Sequence, residues 1–304
     1  MKNNTTLSIV IPTIGRKALE KTIGSVLAQS VMPDEIIVWD NSGTGAAQKD
    51  SVYAAHPAVK WQLAGSRKMI VDSWNTAVGF CSCDFVFILG DDDILLPDFV
   101  KTGKAVLQKG AKLVHVENQV IDAEDNIRDP NDRRSGLREM SHAEYLTCYS
   151  TGNEINIYLS SLIFPRETFH KIGGFKDFVH NGLAMDVLFN IELLHEIGNI
   201  TVIFTPLWQY RTFISDWCGA VRDPENIPVI AREYLTFRDQ AETFFTGDLK
   251  PVFRAFNRKR ITSQIVGVCY PASPWKTLKL IFSPMFSLYE KITMLRDFFY
   301  MLRH

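Results

Sequence analysis

Three carboxylates stand side by side at Asp91, Asp92 and Asp93, within the stretch 87–99, FILGDDDILLPDF. Adjacent carboxylates repel one another, and burying them is costly unless they are paired or bound to a metal. The apolar runs on either side place this triplet in a recess. A hard divalent cation with oxygen ligands would remove the repulsion, and Mg²⁺ or Mn²⁺ commonly takes one or two protein carboxylates together with phosphate oxygens. The triplet therefore reads as a site for a metal and a diphosphate. The plainer alternative is a solvated acidic turn.

Other residues could join that chemistry. Asp40 ends a β-rich run, where an acid in a nucleotide-binding α/β fold often meets a ribose or a base. It could equally open an Asx-turn. Arg67 and Asn75 flank a helical segment entered through Ala64-Gly65-Ser66, and Arg67 could face a phosphate; a lone arginine can also be a plain surface residue. Asp186 lies early in a helical pattern, where a carboxylate suits the helix dipole or could serve as a general base. His180 and His195 lack metal-site spacing with another His or Cys and read as structural, as does the Cys81-Ser82-Cys83 stretch.

These residues need elements to position them. Residues 7–11 (LSIVI), 35–39 (EIIVW) and 85–89 (FVFIL) are short β-rich runs, and 61–63 is a weaker one. Helical spacing covers 16–29, 66–80 and 97–109, and 113–121 is again strand-like. Alternating strands and helices predict a parallel sheet covered on both faces. Ligands bind such sheets beyond the carboxyl ends of the strands. Pro12-Thr13, Asp40-Asn41 and the Asp triplet all fall there, so one pocket can gather them. The second half is less regular. It reads as a loop over 124–140, helices near 141–149, 165–172 and 184–197, a Gly173-Gly174-Phe175 turn, and a short strand over 201–204.

The whole chain has 304 residues and a net charge of -1, which gives no general pull toward nucleic acid. The charge is uneven. Residues 250–304 hold ten Lys/Arg against two Asp/Glu, and the rest carries a net of -9. Five cysteines without a C-x-x-C pair fit a reducing compartment. No signal peptide and no spanning apolar run is legible.

In combination, LSIVIPTIGR, ALEKTIGSVLAQSVMPDEIIVWDNSGTG and NTAVGFCSCDFVFILGDDD resemble the inverting family 2 glycosyltransferases of the GT-A fold, closely over 7–100 and more loosely to about residue 212. The resemblance implies an α/β fold, a GT-A type mostly parallel sheet flanked by helices. The catalytic domain would span 1–215, with a nucleotide-binding half at 1–110 and an acceptor half at 111–215. A helical, basic C-terminal segment would occupy 216–304. Pro12 and Thr13 would lie against the nucleotide, and Asp40 would contact the base, usually uracil. Arg67, Asn75 and Asp91 would line the nucleotide side. Asp91, Asp92 and Asp93 would hold Mn²⁺ or Mg²⁺ with the donor diphosphate, and Asp186 would be the catalytic base.

Two departures from the family pattern bear on these roles. Gly90 stands where the family's motif often begins with Asp, which moves the principal metal position to Asp92 in an ungapped alignment. Met185 precedes Asp186 where the family often has Glu. Tyr210-Arg211-Thr212 falls near a loop that often carries a diphosphate-binding His, so Arg211 is a candidate diphosphate contact. The implied partners are a nucleotide-sugar donor and a saccharide or lipid-linked saccharide acceptor. The apolar and basic residues of 275–304 suit a helical pair packed on the domain or on a second copy of the chain, or an interfacial contact with a membrane, and Pro284 should interrupt the helix. The expected location is cytoplasmic, with a peripheral place on the inner face of the plasma membrane as the alternative. The rival functions are a nucleotidyltransferase on a related sheet and a catalytically inactive nucleotide-binding module.

Overall fold

The computed structural model describes residues 5–129, 132, 134–151, 155, 161–177, 184–212 and 223–303. Parallel strands β1 (Leu7–Thr13), β2 (Glu35–Asp40), β3 (Val59–Leu63) and β4 (Phe85–Ile88) form one side of a sheet. The sheet continues through β8 (Leu162–Pro165), β6 (Val114–Ile121), β9 (Asn199–Arg211) and β5 (Ile94–Leu95), in the order β3-β2-β1-β4-β8-β6-β9-β5. β7 (Leu137–Ser141) pairs with β9. β8 runs antiparallel to both β4 and β6, and so joins the two halves of the sheet.

Alternation along β1 explains the two-sided core, because successive side chains of a strand point to opposite faces. Leu7, Ile9 and Ile11 enter one apolar cluster with Leu19, Ile23 and Val26 of α1 (Leu19–Leu27). Val10 enters the other, with residues of α3 (Ile70–Gly79) and α7 (Met185–Ile197). α2 (Ala46–Asp50) and α4 (Phe99–Gln108) complete the first face, and α5 (His142–Thr151) and α6 (Arg166–Ile172) support the second.

The C-terminal helices are α8 (Ile227–Glu242), α9 (Leu249–Ala272), α10 (Pro274–Ile281) and α11 (Leu288–Arg303). Their apolar residues Ile230, Phe253, Ile265 and Met294 belong to the same cluster as Val10 and Leu188. The segment therefore packs on the second face of the sheet, against α5 and α7. The chain breaks between α10 and α11 around Pro284, as its fixed φ and missing N–H require. Among the described residues no helix is long and apolar enough to cross a membrane.

Three strands escape the sequence reading and a fourth is read short. The expected short strand at 201–204 lies in the first half of the 13-residue β9. Pro206 hides its length, because proline cannot donate to a ladder. The pairing with β6 jumps from Val116↔Ile203 to Asn118↔Trp208, and Pro206 lies inside that irregularity. β7, in the expected loop over 124–140, is an exposed strand of sequence LREMS that buries only Met140. β8 and β5 are too short to show a period.

Candidate active site

The carboxyl ends of β1, β2 and β4 meet at one edge, where Thr13 pairs in register with Asp40 and Leu89 donates its N–H to the Val10 carbonyl at 2.9 Å. The chain then enters the acidic triplet, which divides into two parts. Asp91 is buried and accepts a hydrogen bond from Thr13 Oγ1 at 2.6 Å; that oxygen in turn accepts the Gly15 N–H at 2.9 Å. Nη1 of Arg16, in the loop after β1, stands 2.6 Å from Asp92 Oδ2 and 3.4 Å from Asp91 Oδ1. Two carboxylates thus converge on one cationic nitrogen. Burial pushes both carboxyls above the usual range, and the Arg16 charge opposes that rise.

Asp93 turns the other way. Its Oδ1 accepts the backbone N–H of Arg211 at 3.0 Å, and its own carbonyl accepts Thr22 Oγ1 at 2.8 Å. Its Oδ2 lies 2.7 Å from where a Cβ on residue 90 would stand, which explains the glycine before the triplet. Asp93 is therefore tied into the fold, while Asp91 and Asp92 share the cation-binding side. The donor set fits a divalent ion held by two protein carboxylates plus ligand oxygens. Among the described residues no group of three or more His, Cys, Asp or Glu is arranged to hold a metal by itself, so the remaining oxygens would come from a bound ligand.

Arg211, the candidate diphosphate contact, has most of its contacts within the protein. It is buried behind the triplet, its Nε donating to the Asp92 carbonyl at 2.8 Å and its Nη1 to the Asp122 carbonyl at 3.0 Å. It also pairs with Asp125. Its task is to hold β9 against the turn that carries the carboxylates. The long β9, read in the sequence only over 201–204, is what delivers it there.

At the end of β2, Asp40 is fully buried. Its Oδ1 accepts the Ser42 N–H at 2.8 Å and its Oδ2 the Gln48 N–H at 3.1 Å, an Asx-turn that also anchors α2. Asn41 fastens the opposing loop, donating to the Lys68 carbonyl at 3.0 Å and accepting the Lys68 N–H at 2.8 Å. At Gly43, with φ +78°, a Cβ would sit 2.7 Å from the Arg67 nitrogen. These contacts pin the backbone of 65–68 and leave the Arg67 side chain exposed beside the edge. Pro12 is buried at the end of β1.

Asn75, expected on the nucleotide side, is hydrogen-bonded to the Gly-Gly-Phe turn. Its amide donates to the Phe175 carbonyl at 2.9 Å and accepts the Phe175 N–H at 2.8 Å. It clamps the Gly-Gly-Phe turn to α3. Gly174 has φ +70°, and a Cβ there would lie 2.4 Å from Asn75 Oδ1. The clamp binds the first half of the chain to the second.

Asp186 occupies the first turn of α7, after Ala184 in the left-handed region at φ 57°. That conformation is uncommon for a residue with a Cβ. Val187 N–H donates to Asp186 Oδ1 at 2.8 Å. The residue keeps a partly open surface yet is surrounded by protein mass. Burial raises its carboxyl, opposed by the Val187 hydrogen bond and by the charge of Arg260 from α9. His180, read as structural, lies outside the described residues. Cys81 and Cys83 are buried free thiols; burial pushes Cys81 up to about 12, which makes it unreactive.

Arg16 is the site residue that sequence reading missed. Its one signal was being the first cation after the strand that ends in Pro-Thr, and only the distances to Asp91 and Asp92 give that signal meaning.

The pattern of Glycosyl transferase family 2 matches residues 8–175, more than half of the chain. The chain belongs to that family and is a glycosyltransferase, which removes the nucleotidyltransferase alternative. It is 27% identical over 273 residues to "Uncharacterized glycosyltransferase YwdF" of Bacillus subtilis (strain 168), covering 83% of this chain and 99% of that protein. In three dimensions it is similar to S. aureus TarS 1–349 (TM-score 0.55, 15% identity, 97% of this chain and 80% of that one). It is also similar to TarS 1–349 in complex with UDP-GlcNAc (TM-score 0.57, 13% identity, 97% and 89%). At these identities the likeness establishes the fold.

Proposed function

We propose that the protein transfers a sugar, with inversion, from a uridine diphosphate sugar to a hydroxyl of a saccharide or lipid-linked saccharide, using Mn²⁺ or Mg²⁺, as in bacterial-type surface polysaccharide synthesis. The observation that carries this reading is the convergence of Asp91 and Asp92 on one cationic nitrogen at the carboxyl edge of parallel strands. The fold shared with TarS, which has been solved with UDP-GlcNAc and with UDP, supports a uridine donor.

Asp92 would be the principal metal ligand, with Asp91 beside it. When bound, the metal supplies Lewis-acid stabilisation of the charge that grows on the leaving diphosphate. Thr13 orients Asp91, while Asp93 and Arg211 hold the turn rigid. Asp40 shapes the loop on the nucleotide side, and Arg67 is available to the nucleotide or its phosphates. Asp186 accepts the proton of the acceptor hydroxyl as its oxygen attacks the anomeric carbon from the face opposite the diphosphate. Its raised carboxyl suits a general base, whose best pKa lies near the working pH.

A thermal-shift panel of nucleoside diphosphates and their sugars, with and without Mn²⁺, tests the reading. Uridine nucleotides should raise the melting temperature in a metal-dependent way, because ligand binding to the folded state stabilises it. No metal-dependent shift with any nucleoside diphosphate would sink the proposal.

A further inference from the structure

α11 is apolar on two sides. Its inner side, including Met294 and Phe298, is buried in the helical bundle. Its outer side carries Leu288, Ile292 and Phe299 at helical spacing, flanked by Tyr289 and Tyr300, all exposed. Leu288 is 75% exposed. The neighbouring α10 repeats the pattern, with Trp275 (65% exposed), Lys279 and, just past its end, Phe282 (63%) at i, i+4 and i+7. The Lys279 ammonium lies 5.3 Å from the Trp275 ring centroid. Isolated exposed apolar residues are normal, but a continuous stripe of this size marks an interaction site.

The charges indicate the partner. Residues 275–303 hold five Lys/Arg and two acids. Both acids face inward: Glu290 is buried, paired with Arg238 at 2.8 Å and hydrogen-bonded by Ser287, while Asp297 accepts from Ser263 and Arg296. Lys279 and Arg303 are exposed along the outer stripes and Lys291 is half-buried beside them, while the exposed carboxylate next to α10, Glu225, is already paired with Lys276. A two-fold pairing of this face with its own copy would bring like charges together. An anionic bilayer instead accepts the apolar rings among its acyl chains and the cations at its headgroups.

We propose that the outer face of α10 and α11 lies on an anionic membrane surface, holding the enzyme where a lipid-linked acceptor is found. The inference adds a docking face to the proposed function and does not depend on Asp186 or the Asp triplet. Co-sedimentation of the full chain with vesicles of phosphatidylcholine, with and without phosphatidylglycerol, tests it. Binding should need the anionic lipid and weaken with salt. Two variants follow: Ile292→Glu with Phe299→Glu, and Lys279→Gln with Arg303→Gln. Each should lower vesicle binding by about tenfold or more. The second changes only charges at the surface and keeps the test sound if the first fails to fold, which circular dichroism will show. No preference for anionic vesicles, or binding unchanged in the charge variant, overturns the proposal. So does a stable wild-type dimer in sedimentation velocity that ignores vesicles. The UDP-dependent thermal shift should be the same in all these proteins, so a failure here leaves the donor-binding reading standing.

Discussion

The two carboxylate regions of this enzyme are built in opposite ways. At the Asp triplet, strand ends, a threonine, two arginines and a glycine fix every carboxylate in place. Asp186 is held on its carboxylate only by local backbone donors, Val187 foremost, and feels the charge of Arg260 on a C-terminal helix. The first region is fixed in geometry, as the proposed metal–diphosphate role requires. The second keeps a carboxylate in a poorly solvated place, which raises its basicity. A metal ligand needs fixed geometry, whereas a base needs an adjusted pKa.

The largest test of this contrast is Asp186→Asn. Turnover should fall by about 10²–10⁴-fold, while calorimetry should find donor affinity unchanged; a matched loss of donor binding would place Asp186 in the first region instead. The pH dependence follows from the same environment. A base with a raised pKa works only once ionised, so kcat should fall as pH drops through that raised value. For stability the sign is the reverse. The folded state binds this proton more tightly than the unfolded state, so ionisation costs stability as pH climbs from the unfolded carboxyl pKa through the folded one. Asp186→Asn should therefore melt higher than the wild type at neutral pH and show no such gain in acid.

Next in size is a comparison within the triplet. Asp92→Asn should abolish metal-dependent donor binding with little change in melting. Asp93→Ala strands the buried Arg211 N–H and should cost about 1–3 kcal/mol of stability in denaturant unfolding. If Asp91→Asn harms donor binding more than Asp92→Asn, the principal ligand has been misassigned.

Gly174→Ala probes the clamp between the two regions. A Cβ at a positive φ, pressed on Asn75 and Phe169, should cost about 1–3 kcal/mol. Equal stability of the variant and the wild type would mean that the turn relaxes freely and the clamp is weak.

The smallest effect belongs to Arg16→Ala. The pair is partly exposed, so its loss should change energies by about 1 kcal/mol. The direction is informative: with the guanidinium gone, Mn²⁺ alone should bind a few-fold more tightly, as read by electron paramagnetic resonance. Weaker binding would show that Arg16 and the metal do not share a position.

The sequence by itself determined the parallel half of the sheet. Buried parallel strands are continuous apolar runs, and the polar residues that follow them must lie at one edge, so Thr13, Asp40 and the triplet were readable as one site. It also supplied the break at Pro284. Tertiary structure alone decided which oxygens are committed. Asp93, Asp40 and Asn75 have the residue types of ligand-binding groups, but their hydrogen bonds go to Arg211, to Ser42 and Gln48, and to Phe175. Arg211 became a buttress because β9 runs on past Pro206, and Arg16 joined the site because its loop folds back over Asp91 and Asp92. Local periodicity reports which side of an element is apolar. The partner of a polar atom is set by residues up to 119 positions away, and no local pattern carries that information.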